Sequence, residues 1–335
     1  MKAIVLVGGF GTRLRPLTLA TPKQMLPVVG IPMIERVVRS LGEGGVTDAI
    51  LSLGYRPDAF LEAYPDDTCA GVRLHYAVEP EPLDTAGAVR FAAIEAGVDA
   101  RFIVVNGDVL TDLDLGAVWK THVESGAEAT IALTSVDDPS RYGVVPIDEE
   151  GRVEAFIEKP PMHEAPTNWI NAGTYVLEPS VIERIPSGRK VSIERETFPQ
   201  LVTDASLYAY QSTAYWVDAG TPATYLQVQL DCIDGLRGSI ERAVHTSARI
   251  AEDARIDHAV IMAGATVEAG AQIVGSVVLP GAFVGAGASV LGSIVGERSR
   301  IGAGAHLADL TVTGLDAEVP PGVKLSGARV PDSET

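Results

Sequence analysis

The chain has little cysteine and few basic residues. Its 335 residues include only Cys69 and Cys232, with no Cys-x-x-Cys motif, so a disulfide framework or a cysteine zinc site is not expected and a reducing cytoplasm fits. The 26 lysines and arginines face 44 acidic residues, for a net charge of −18, which predicts no nucleic-acid partner. No apolar run is long enough to cross a bilayer, so we expect no membrane partner and a cytoplasmic location.

Aromatic residues nearly vanish after residue 236, where Phe283 is the only one. In their place a small residue recurs two positions before an aliphatic one, in eleven pairs from Ala248/Ile250 to Ala305/Leu307. The steps between the small residues are six, five and six, so that three steps sum to 17. This period predicts a three-sided parallel β-helix of hexapeptide repeats, with the aliphatic residue pointing inward and the small residue near the corner.

The first part of the chain alternates apolar runs with amphipathic patterns. This alternation predicts an α/β domain with a largely parallel sheet, and ligands then lie at the carboxyl ends of the strands. We therefore expect two domains, residues 1–235 and 236–335. The predicted strands are Ala3–Val7, Ala49–Leu53, Phe102–Val105 and Thr130–Leu133, and the predicted helices are Ile34–Leu41 and Gly87–Ala96.

A glycine-rich stretch, VGGFGTRLRPLT, follows the first predicted strand. The dinucleotide fingerprint would need a third glycine where Leu14 stands, and the Walker A pattern is absent, so neither site is expected. Backbone N–H groups in such a turn can hold phosphate oxygens. Arg13 can bind phosphate with two hydrogen bonds, and Lys23, ten residues on, can add a point charge. The stretch therefore favours a phosphorylated small ligand.

The chain resembles the sugar-1-phosphate nucleotidylyltransferases through an ordered set of motifs. They span essentially residues 1–235, and many members of that family also carry a C-terminal left-handed β-helix. The resemblance implies a Rossmann-like nucleotidyltransferase domain with a mixed, mostly parallel sheet, followed by a left-handed parallel β-helix. The motifs are GGFGTRLRPLT with PKQMLP, LDTAG at 83–87, NGD at 106–108, YGVV at 142–145, FIEKP at 156–160, INAG at 170–173 and YWVDAG at 215–220.

Within this family the chain is most similar to the mannose-1-phosphate guanylyltransferases, through PSRYGVV at 139–145, INAG at 170–173 and VSIERETFP at 191–199. Two positions depart from that branch: Asp84 stands where glycine is usual, and Gln24 where proline is common. GTP with mannose-1-phosphate is therefore the expected substrate pair. The alternatives are dTTP, UTP or ATP with glucose-1-phosphate, and GTP with another sugar phosphate such as a heptose phosphate.

The resemblance also implies the reaction and its residues. A nucleoside triphosphate and a sugar-1-phosphate give a nucleotide-sugar and pyrophosphate, with Mg²⁺ held by Asp108 and Asp218. From the residues alone either aspartate could instead cap a turn, and Asp112 and Asp114 are expected to cap the following helix. The residues implied are catalytic Arg13, Lys23, Asp108, Lys159 and Asp218; nucleotide-binding Gly8, Gly9, Gly11, Thr12, Arg13, Lys23, Glu79, Thr85, Gly87, Gly107 and Asp108; and sugar-binding Gly143, Glu158, Lys159, Asn171 and Gly173.

Two other readings of the chain remain open at this point. A hexapeptide acyltransferase would use a β-helix histidine, and His258 and His306 lie in the repeats, but no long loop leaves them to form an acyl-CoA pocket. A non-catalytic homologue should have lost a charged site residue, and none is missing. The β-helix itself is expected to contribute to a homo-oligomer, a dimer or tetramer, and the chain from Val319 onward is expected to cover its open end.

Overall fold

The computed structural model describes residues 1–54 and 57–332, and the chain forms two compact units. The first unit comprises Met1–Gly9 and Ile34–Trp216, and the second comprises Phe10–Met33 and Val217–Thr335. These units divide the chain differently from the domains expected from the sequence, and the boundary at 235/236 stays a prediction. The helices are α1 Met33–Glu43, α2 Asp58–Ala63, α3 Asp84–Glu95, α4 Leu115–Ser125, α5 Pro179–Arg184, α6 Phe198–Thr203 and α7 Pro222–Ile233.

The strands before the repeats confirm the four predicted from the sequence. Each predicted apolar run lies within or beside an observed strand, and both predicted helices lie within or overlap α1 and α3. The strands are β1 Lys2–Leu6, β2 Pro27–Val28, β3 Ile31–Pro32, β4 Asp48–Leu53, β5 Thr68–Cys69, β6 Val72–Val78, β7 Phe102–Asn106, β8 Val109–Thr111, β9 Ala129–Ser135, β10 Gly143–Val144, β11 Ile157–Glu158, β12 Trp169–Leu177, β13 Leu207–Ser212 and β14 Trp216–Asp218.

A mixed sheet forms the centre of the first unit. Its order is β11-β10-β12-β7-β1-β4-β6-β5, with β9 also paired to β12 and β13 paired to β9. Strand β1 lies between β4 and β7 and is parallel to both, whereas β12 is antiparallel to both β7 and β9. The central strands are fully buried, with Ile4, Val104 and Ile131 all 0% exposed, which is why they read as continuous apolar runs. The carboxyl ends of β1, β4 and β7 thus lie at one edge.

The second unit contains the glycine-rich loop from Phe10 onward, α7 and the repeats. Two buried side chains of α7 hold the β2–β3 hairpin: Tyr225 Oη and Gln229 Nε2 donate to the Pro27 carbonyl, at 2.5 and 2.8 Å, and Gln229 Oε1 accepts from Val29 N at 2.7 Å. On the β-helix, a Cβ added to Gly314 would lie 3.0 Å from the Cβ of Pro16. The glycine-rich loop therefore packs directly against the repeats.

The repeats form three parallel sheets of five strands each, which confirms the predicted three-sided β-helix. The aliphatic residues point inward, and Ile273, Val284 and Val290 are 0% exposed. Serines replace alanine at some small positions, and their hydroxyls donate to carbonyls, as Ser276 Oγ does to Val274 O at 2.7 Å. The arrangement is that of the left-handed β-helix. The strands are β15 Arg249–Ile250, β16 Arg255–Asp257, β17 Val260–Ile261, β18 Thr266–Val267, β19 Gln272–Val274, β20 Val277–Val278, β21 Phe283–Val284, β22 Ser289–Leu291, β23 Ile294–Val295, β24 Arg300–Ile301, β25 His306–Ala308, β26 Val312–Thr313, β27 Glu318–Val319, β28 Lys324–Ser326 and β29 Arg329–Val330.

The coil period changes once along the β-helix. Partners such as Arg249 and Thr266 are 17 residues apart, but Ile294 and Val312 are 18 apart. The extra residue lies at the corner, where Asp309 and Leu310 both have positive φ and where earlier coils turn with a single residue such as Gly275. The chain from Val319 is not the separate cap expected from the sequence, because β27 to β29 continue the ladder as one more coil.

No helix in the described ranges is both long and apolar enough to cross a membrane. The predicted capping role of Asp114 is confirmed: its carboxylate accepts from Ala117 N at 3.0 Å at the start of α4.

Candidate functional site

The edge of the sheet beyond β1 leaves open space beside the first two glycines. Val7 N donates to Ser52 O at 3.0 Å, and Gly107 N donates to Leu6 O at 2.9 Å, so β1 is fixed between its neighbours up to its end. A Cβ added to Gly8 or Gly9 would meet no atom of the described residues within 4 Å. Gly9 has φ +95°, which requires glycine, but packing within the protein does not explain Gly8. A bare backbone facing open space suits the close approach of a ligand.

The rest of the glycine-rich loop brings Gly11 and Lys23 together in the second unit. Gly11 has φ +60°, and a Cβ added there would lie 3.0 Å from Thr18 Cγ2 and 3.2 Å from Lys23 Cβ. Thr18 Oγ1 also donates to the Gly11 carbonyl at 2.7 Å. Thr12 begins a short 3-10 helix, Thr12–Leu14, which anchors on buried Leu14 and leaves the side chain of Arg13 59% exposed.

Asp218 faces Arg13 within the same unit. The Asp218 carboxylate accepts from Gly220 N at 2.9 Å, and its Oδ2 lies 3.8 Å from Nη2 of Arg13. A Cβ on Gly220 would lie only 2.7 Å from both Arg13 Nη2 and Asp218 Oδ1. The glycine of the YWVDAG motif is therefore required to let the guanidinium and the carboxylate approach each other.

Gln24, next to Lys23, is a buried amide that lacks a partner. The side chain is 1% exposed, and neither its Oε1 nor its Nε2 makes a hydrogen bond within the described residues. An unpaired buried amide costs about 1–3 kcal/mol, so such a group commonly marks a place where a ligand or water completes the bonding. The sequence had drawn attention to Gln24 only as a departure from the common proline.

Asn106, two residues before Asp108, contacts the glycine of the INAG motif. Asp108 follows β7 at the carboxyl edge of the sheet and is 9% exposed. A Cβ added to Gly173, which has φ +73°, would lie 2.6 Å from Nδ2 of Asn106. The amide of Asn171 holds this bulge of β12, because its Oδ1 accepts from Gly173 N and its Nδ2 donates to Tyr175 Oη, both at 2.8 Å.

Glu79 and Thr85, both predicted to bind the nucleotide, make hydrogen bonds inside the first unit. Glu79 accepts from Ser52 Oγ at 3.1 Å and from Leu83 N at 3.0 Å, and so fixes the turn before α3. Thr85 Oγ1 donates to Glu194 Oε2 at 2.8 Å. Glu79 therefore holds the loop that precedes α3, and Thr85 joins the first turn of α3 to the segment of Glu194. The nucleotide role of both residues stays a prediction.

Gly87 lies in the first turns of α3, where a neighbouring segment pairs with the backbone. Its N–H and that of Ala86 both donate to the Val191 carbonyl, at 3.2 and 2.9 Å. A Cβ on Gly87 would lie 2.9 Å from the Cβ of Leu83 and 3.5 Å from the Arg189 carbonyl. The close approach of Leu83 explains the glycine without a ligand, and contact with the base stays a prediction.

The departure at Asp84 has a backbone explanation. Asp84 has φ +62°, the left-handed conformation that favours glycine and that aspartate tolerates better than most residues. Its carboxylate accepts from Thr85 N at 2.9 Å and pairs with Arg195 Nη2 at 3.4 Å. A left-handed conformation at position 84 suits glycine as well as aspartate.

Glu158 and Lys159 form a pair beside Gly143. Lys159 Nζ lies 2.9 Å from Glu158 Oε1. Lys159 N donates to Tyr142 O at 3.0 Å, and Lys159 has φ +50°, a conformation that is uncommon for lysine. A Cβ on Gly143 would lie 2.5 Å from the Phe156 ring and 3.2 Å from Glu158 Oε2. The glycine thus makes room for the ring and for the carboxylate.

Sequence reasoning missed one carboxylate, Glu194. It belongs to VSIERETFP, which was noted only as a branch-specific segment, and its contact with Thr85 joins residues 109 positions apart. No local pattern could have signalled that contact. Burial, followed by the nearby Glu194 and then Glu158, raises the pKa of the Tyr175 phenol. Tyr175 is therefore neutral and acts as a hydrogen-bonding group.

The two predicted metal ligands lie in different units, Asp108 in the first and Asp218 in the second. No cluster of three acidic, histidine or cysteine side chains suited to a metal occurs among the described residues. Each of the two predicted ligands is a carboxylate, the type of ligand that a hard divalent cation takes, and such an ion commonly keeps waters and substrate phosphates in its remaining positions.

Comparison with known proteins identifies the family. Residues 2–235 match the family model described as nucleotidyl transferase. The chain belongs to the nucleotidyl transferase family. Residues 240–334 match a second model, described as the GMPPB C-terminal domain. Both matches agree with the motifs and with the β-helix, and members of this nucleotidyl transferase family use a divalent metal ion.

Similar proteins narrow the reaction class. A mannose-1-phosphate guanylyltransferase of Mycobacterium tuberculosis is 40% identical over 297 residues, which cover 81% of this chain and 82% of that protein. The structure of HddC from Yersinia pseudotuberculosis complexed with GMP-PN is 32% identical, with a TM-score of 0.57 over 68% of this chain and 97% of that one. A putative glucose-1-phosphate thymidylyltransferase from Bacillus anthracis is 27% identical, with a TM-score of 0.61 over 68% and 94%. The nucleotidyl transferase is thus a sugar-1-phosphate nucleotidylyltransferase, with a nucleoside triphosphate and a sugar-1-phosphate as substrates.

Proposed function

We propose that the protein converts GTP and mannose-1-phosphate to GDP-mannose and pyrophosphate. The observation that carries this choice is the 40% identity, over 81% of the chain, to a protein named mannose-1-phosphate guanylyltransferase. The positive φ of Asp84 also supports this choice. The aspartate departs from the glycine expected in the guanylyl branch, but it keeps a backbone conformation that suits glycine. The second candidate is a thymidylyl transfer to glucose-1-phosphate, which the orphaned amide of Gln24 favours, since lysine followed by glutamine is typical of that branch.

The reaction needs no covalent intermediate with the protein. An oxygen of the sugar phosphate attacks the α-phosphorus of the triphosphate, a new P–O bond forms, and the bond to the β-phosphate oxygen breaks as pyrophosphate leaves. Both substrates are anions, so the protein must offset repulsion and align them. We assign contact with the triphosphate to Arg13 and Lys23, neutralisation of the sugar phosphate to Lys159, and acceptance of sugar hydroxyl hydrogens to Glu158.

Asp108 and Asp218 are proposed to hold Mg²⁺. When bound, the ion supplies positive charge that offsets the negative charge developing on the phosphates. Gly220 serves this arrangement, because it allows Arg13 and Asp218 to lie 3.8 Å apart. A single glycine thus lets the guanidinium proposed to bind the triphosphate lie beside one of the carboxylates proposed to bind the ion.

The remaining predicted residues are proposed to shape the substrate pockets. The open space beside Gly8 and Gly9 would admit the nucleotide. The sugar pocket would be formed where the bulge of β12 meets β10 and β11. The nucleotide side comprises Gly8, Gly9, Gly11, Thr12, Glu79, Thr85, Gly87 and Gly107, and the sugar side comprises Gly143, Glu158, Lys159, Asn171 and Gly173.

We further propose that the protein is a homo-oligomer, a dimer or a tetramer, to which the β-helix contributes. Light scattering on the full chain tests this proposal directly. A mass of two or four subunits is expected, and a monomer at micromolar concentration would refute it.

The test of the reaction is pyrophosphate release with Mg²⁺ and single substrate pairs. Rapid release from GTP with mannose-1-phosphate is expected, and release only from dTTP with glucose-1-phosphate would favour the second candidate. Asp108→Asn and Asp218→Asn should each abolish turnover while the folded state persists. Near-wild-type turnover of either variant at saturating Mg²⁺ would remove that residue from the metal role.

A further inference from the structure

The segment that carries Glu194 is fixed against the strands that carry the proposed sugar residues. Ile193–Thr197 forms one turn of π-helix and leads into Phe198, which is 0% exposed. The Phe198 ring packs on Tyr175 of β12 and on Phe156, which precedes β11, with ring centroids 5.1 and 5.5 Å apart. Strands β11 and β12 carry Glu158 and Asn171. The position of the turn relative to these strands is therefore set by buried aromatic packing.

The Glu194 carboxylate is oriented through only one of its oxygens. Oε2 accepts from Thr85 Oγ1 at 2.8 Å and from Ser192 Oγ at 2.7 Å. Thr85 Oγ1 is itself held, because it accepts from Ile193 N at 2.8 Å. Within the described residues no group donates to Oε1, and a carboxylate has about four lone-pair sites. The second oxygen is thus positioned by the protein and available to accept.

The charged neighbours of Glu194 on the same turn are engaged elsewhere. Arg195 pairs with Asp84 at 3.4 Å, and Glu196 pairs with Arg189 at 2.6 Å. Among the described residues no cation pairs with Glu194, and its hydrogen-bond donors are hydroxyl groups. A carboxylate held by hydroxyls, with no arginine or lysine to satisfy it, is suited to further hydroxyl donors rather than to a salt bridge.

Glu194 and Glu158 both act on one buried phenol. Burial and then these two carboxylates, Glu194 before Glu158, raise the pKa of Tyr175, so both lie within electrostatic reach of it. Asn171 Nδ2 donates to the Tyr175 oxygen at 2.8 Å. Two carboxylates and an amide therefore lie near the Tyr175 hydroxyl. Such a set of acceptors is complementary to a polyol, whose hydroxyl groups donate several hydrogen bonds at once.

We propose that Glu194 binds a hydroxyl group of the sugar of the sugar-1-phosphate and that it distinguishes sugar epimers. The inference rests on the proposed function, since it assigns a second carboxylate, besides Glu158, to the sugar side of that site. Thr85 and Ser192 are positioning residues in this arrangement, because they orient the carboxylate without contacting the sugar.

The test compares Glu194→Gln with Glu196→Gln, a matched control on the same turn. Glutamine can still accept from Thr85 and Ser192, so the turn should persist, but a neutral amide binds a hydroxyl more weakly than a carboxylate. Glu194→Gln should raise the KM for mannose-1-phosphate by about 10- to 100-fold and change the KM for GTP by less than about threefold. The preference for mannose-1-phosphate over glucose-1-phosphate, as a ratio of kcat/KM, should narrow. Glu196→Gln should leave the KM for mannose-1-phosphate, the KM for GTP and the sugar preference within about twofold of the wild-type values.

An unchanged KM for the sugar phosphate in Glu194→Gln, or an equal rise in the KM for GTP, would overturn the inference, because a merely structural role disturbs Thr85 and the nucleotide side as well. Deoxy analogues of the sugar phosphate give a second measurement. For one analogue, kcat/KM with the wild-type protein should fall as far as kcat/KM for the parent sugar phosphate falls in Glu194→Gln. The variant should use that analogue and the parent equally well. If the variant discriminates against every analogue as strongly as the wild type does, the inference is also overturned.

Failure of the proposed function is visible separately. If the wild-type protein turns over another sugar phosphate but not mannose-1-phosphate, the proposed function is wrong. The same comparison of the two glutamine variants then applies to the sugar phosphate that is used, and its outcome decides the inference.

Discussion

Adding one methyl group at Gly220 should lower the rate of turnover strongly and the free energy of unfolding only slightly. In Gly220→Ala the new Cβ would lie 2.7 Å from Arg13 Nη2 and 2.7 Å from Asp218 Oδ1, whereas ordinary contacts of a Cβ begin at about 3.4 Å. Each group must therefore move by roughly 0.7 Å, or the backbone must shift. Gly220 does not have a positive φ, so alanine adds no backbone strain there. Arg13 is 59% exposed and can swing away at little cost to folding.

The loss of activity follows from the displacement of two groups assigned to the reaction. A misplacement of about 1 Å can cost on the order of 10²-fold in rate, so we expect kcat of Gly220→Ala to fall by about 10- to 100-fold. The free energy of unfolding, from urea denaturation, should fall by less than about 2 kcal/mol, within the range for one added methylene. Pyrophosphate release at saturating GTP, mannose-1-phosphate and Mg²⁺ measures the first quantity. Wild-type kcat in a folded Gly220→Ala variant would refute the assignment of Arg13 and Asp218 to the site.

Three other changes test separate parts of the structure. Because Asp84 has φ +62°, Asp84→Ala should be less stable than Asp84→Gly by about 1 kcal/mol in urea denaturation, and equal stability would contradict the left-handed conformation. Gly314→Val should press on Pro16, which lies 3.0 Å from the added Cβ, and so lower the free energy of unfolding by about 1–3 kcal/mol and raise the KM for GTP; an unchanged KM would show that the β-helix does not support the loop. Burial lowers the pKa of His122 below its unfolded value of about 6.5, so its contribution to stability is present above that pH and is lost as the pH falls through the folded pKa. The wild type should therefore lose more stability than His122→Gln between about pH 7.5 and pH 5.5, and parallel losses in denaturation curves would contradict this.

The strands and the repeats were predictable because their signals are local. Buried parallel strands read as apolar runs, and the β-helix repeats its small and aliphatic residues at a fixed phase. The extra residue at Asp309 and Leu310 was not predicted, since a corner tolerates one more residue without altering the inward positions on either side. The cap predicted from Val319 onward was wrong for a related reason. Beyond the extra residue the small and aliphatic positions are shifted by one, so the earlier pattern does not continue in phase.

Site residues could be nominated from the sequence where a motif carries its own chemistry, and their roles stay predictions, but contacts that join distant segments could not be predicted. Arg13, Lys23 and Asp108 stand in motifs that mark them directly. The contact of Thr85 with Glu194 spans 109 residues, and the hydrogen bonds from Ala86 N and Gly87 N to the Val191 carbonyl also join distant segments. Tertiary packing alone creates these relations, so they appear only in the structure.

The most direct test of the proposed function is a competition in one vessel. The wild-type protein is given Mg²⁺, equal concentrations of GTP, dTTP, UTP and ATP, and equal concentrations of mannose-1-phosphate and glucose-1-phosphate, and the first products are identified by mass. Because competing substrates divide according to their kcat/KM values, the product ratio reports specificity directly. GDP-mannose as the dominant product is the predicted result, and a dominant dTDP- or UDP-sugar would contradict it.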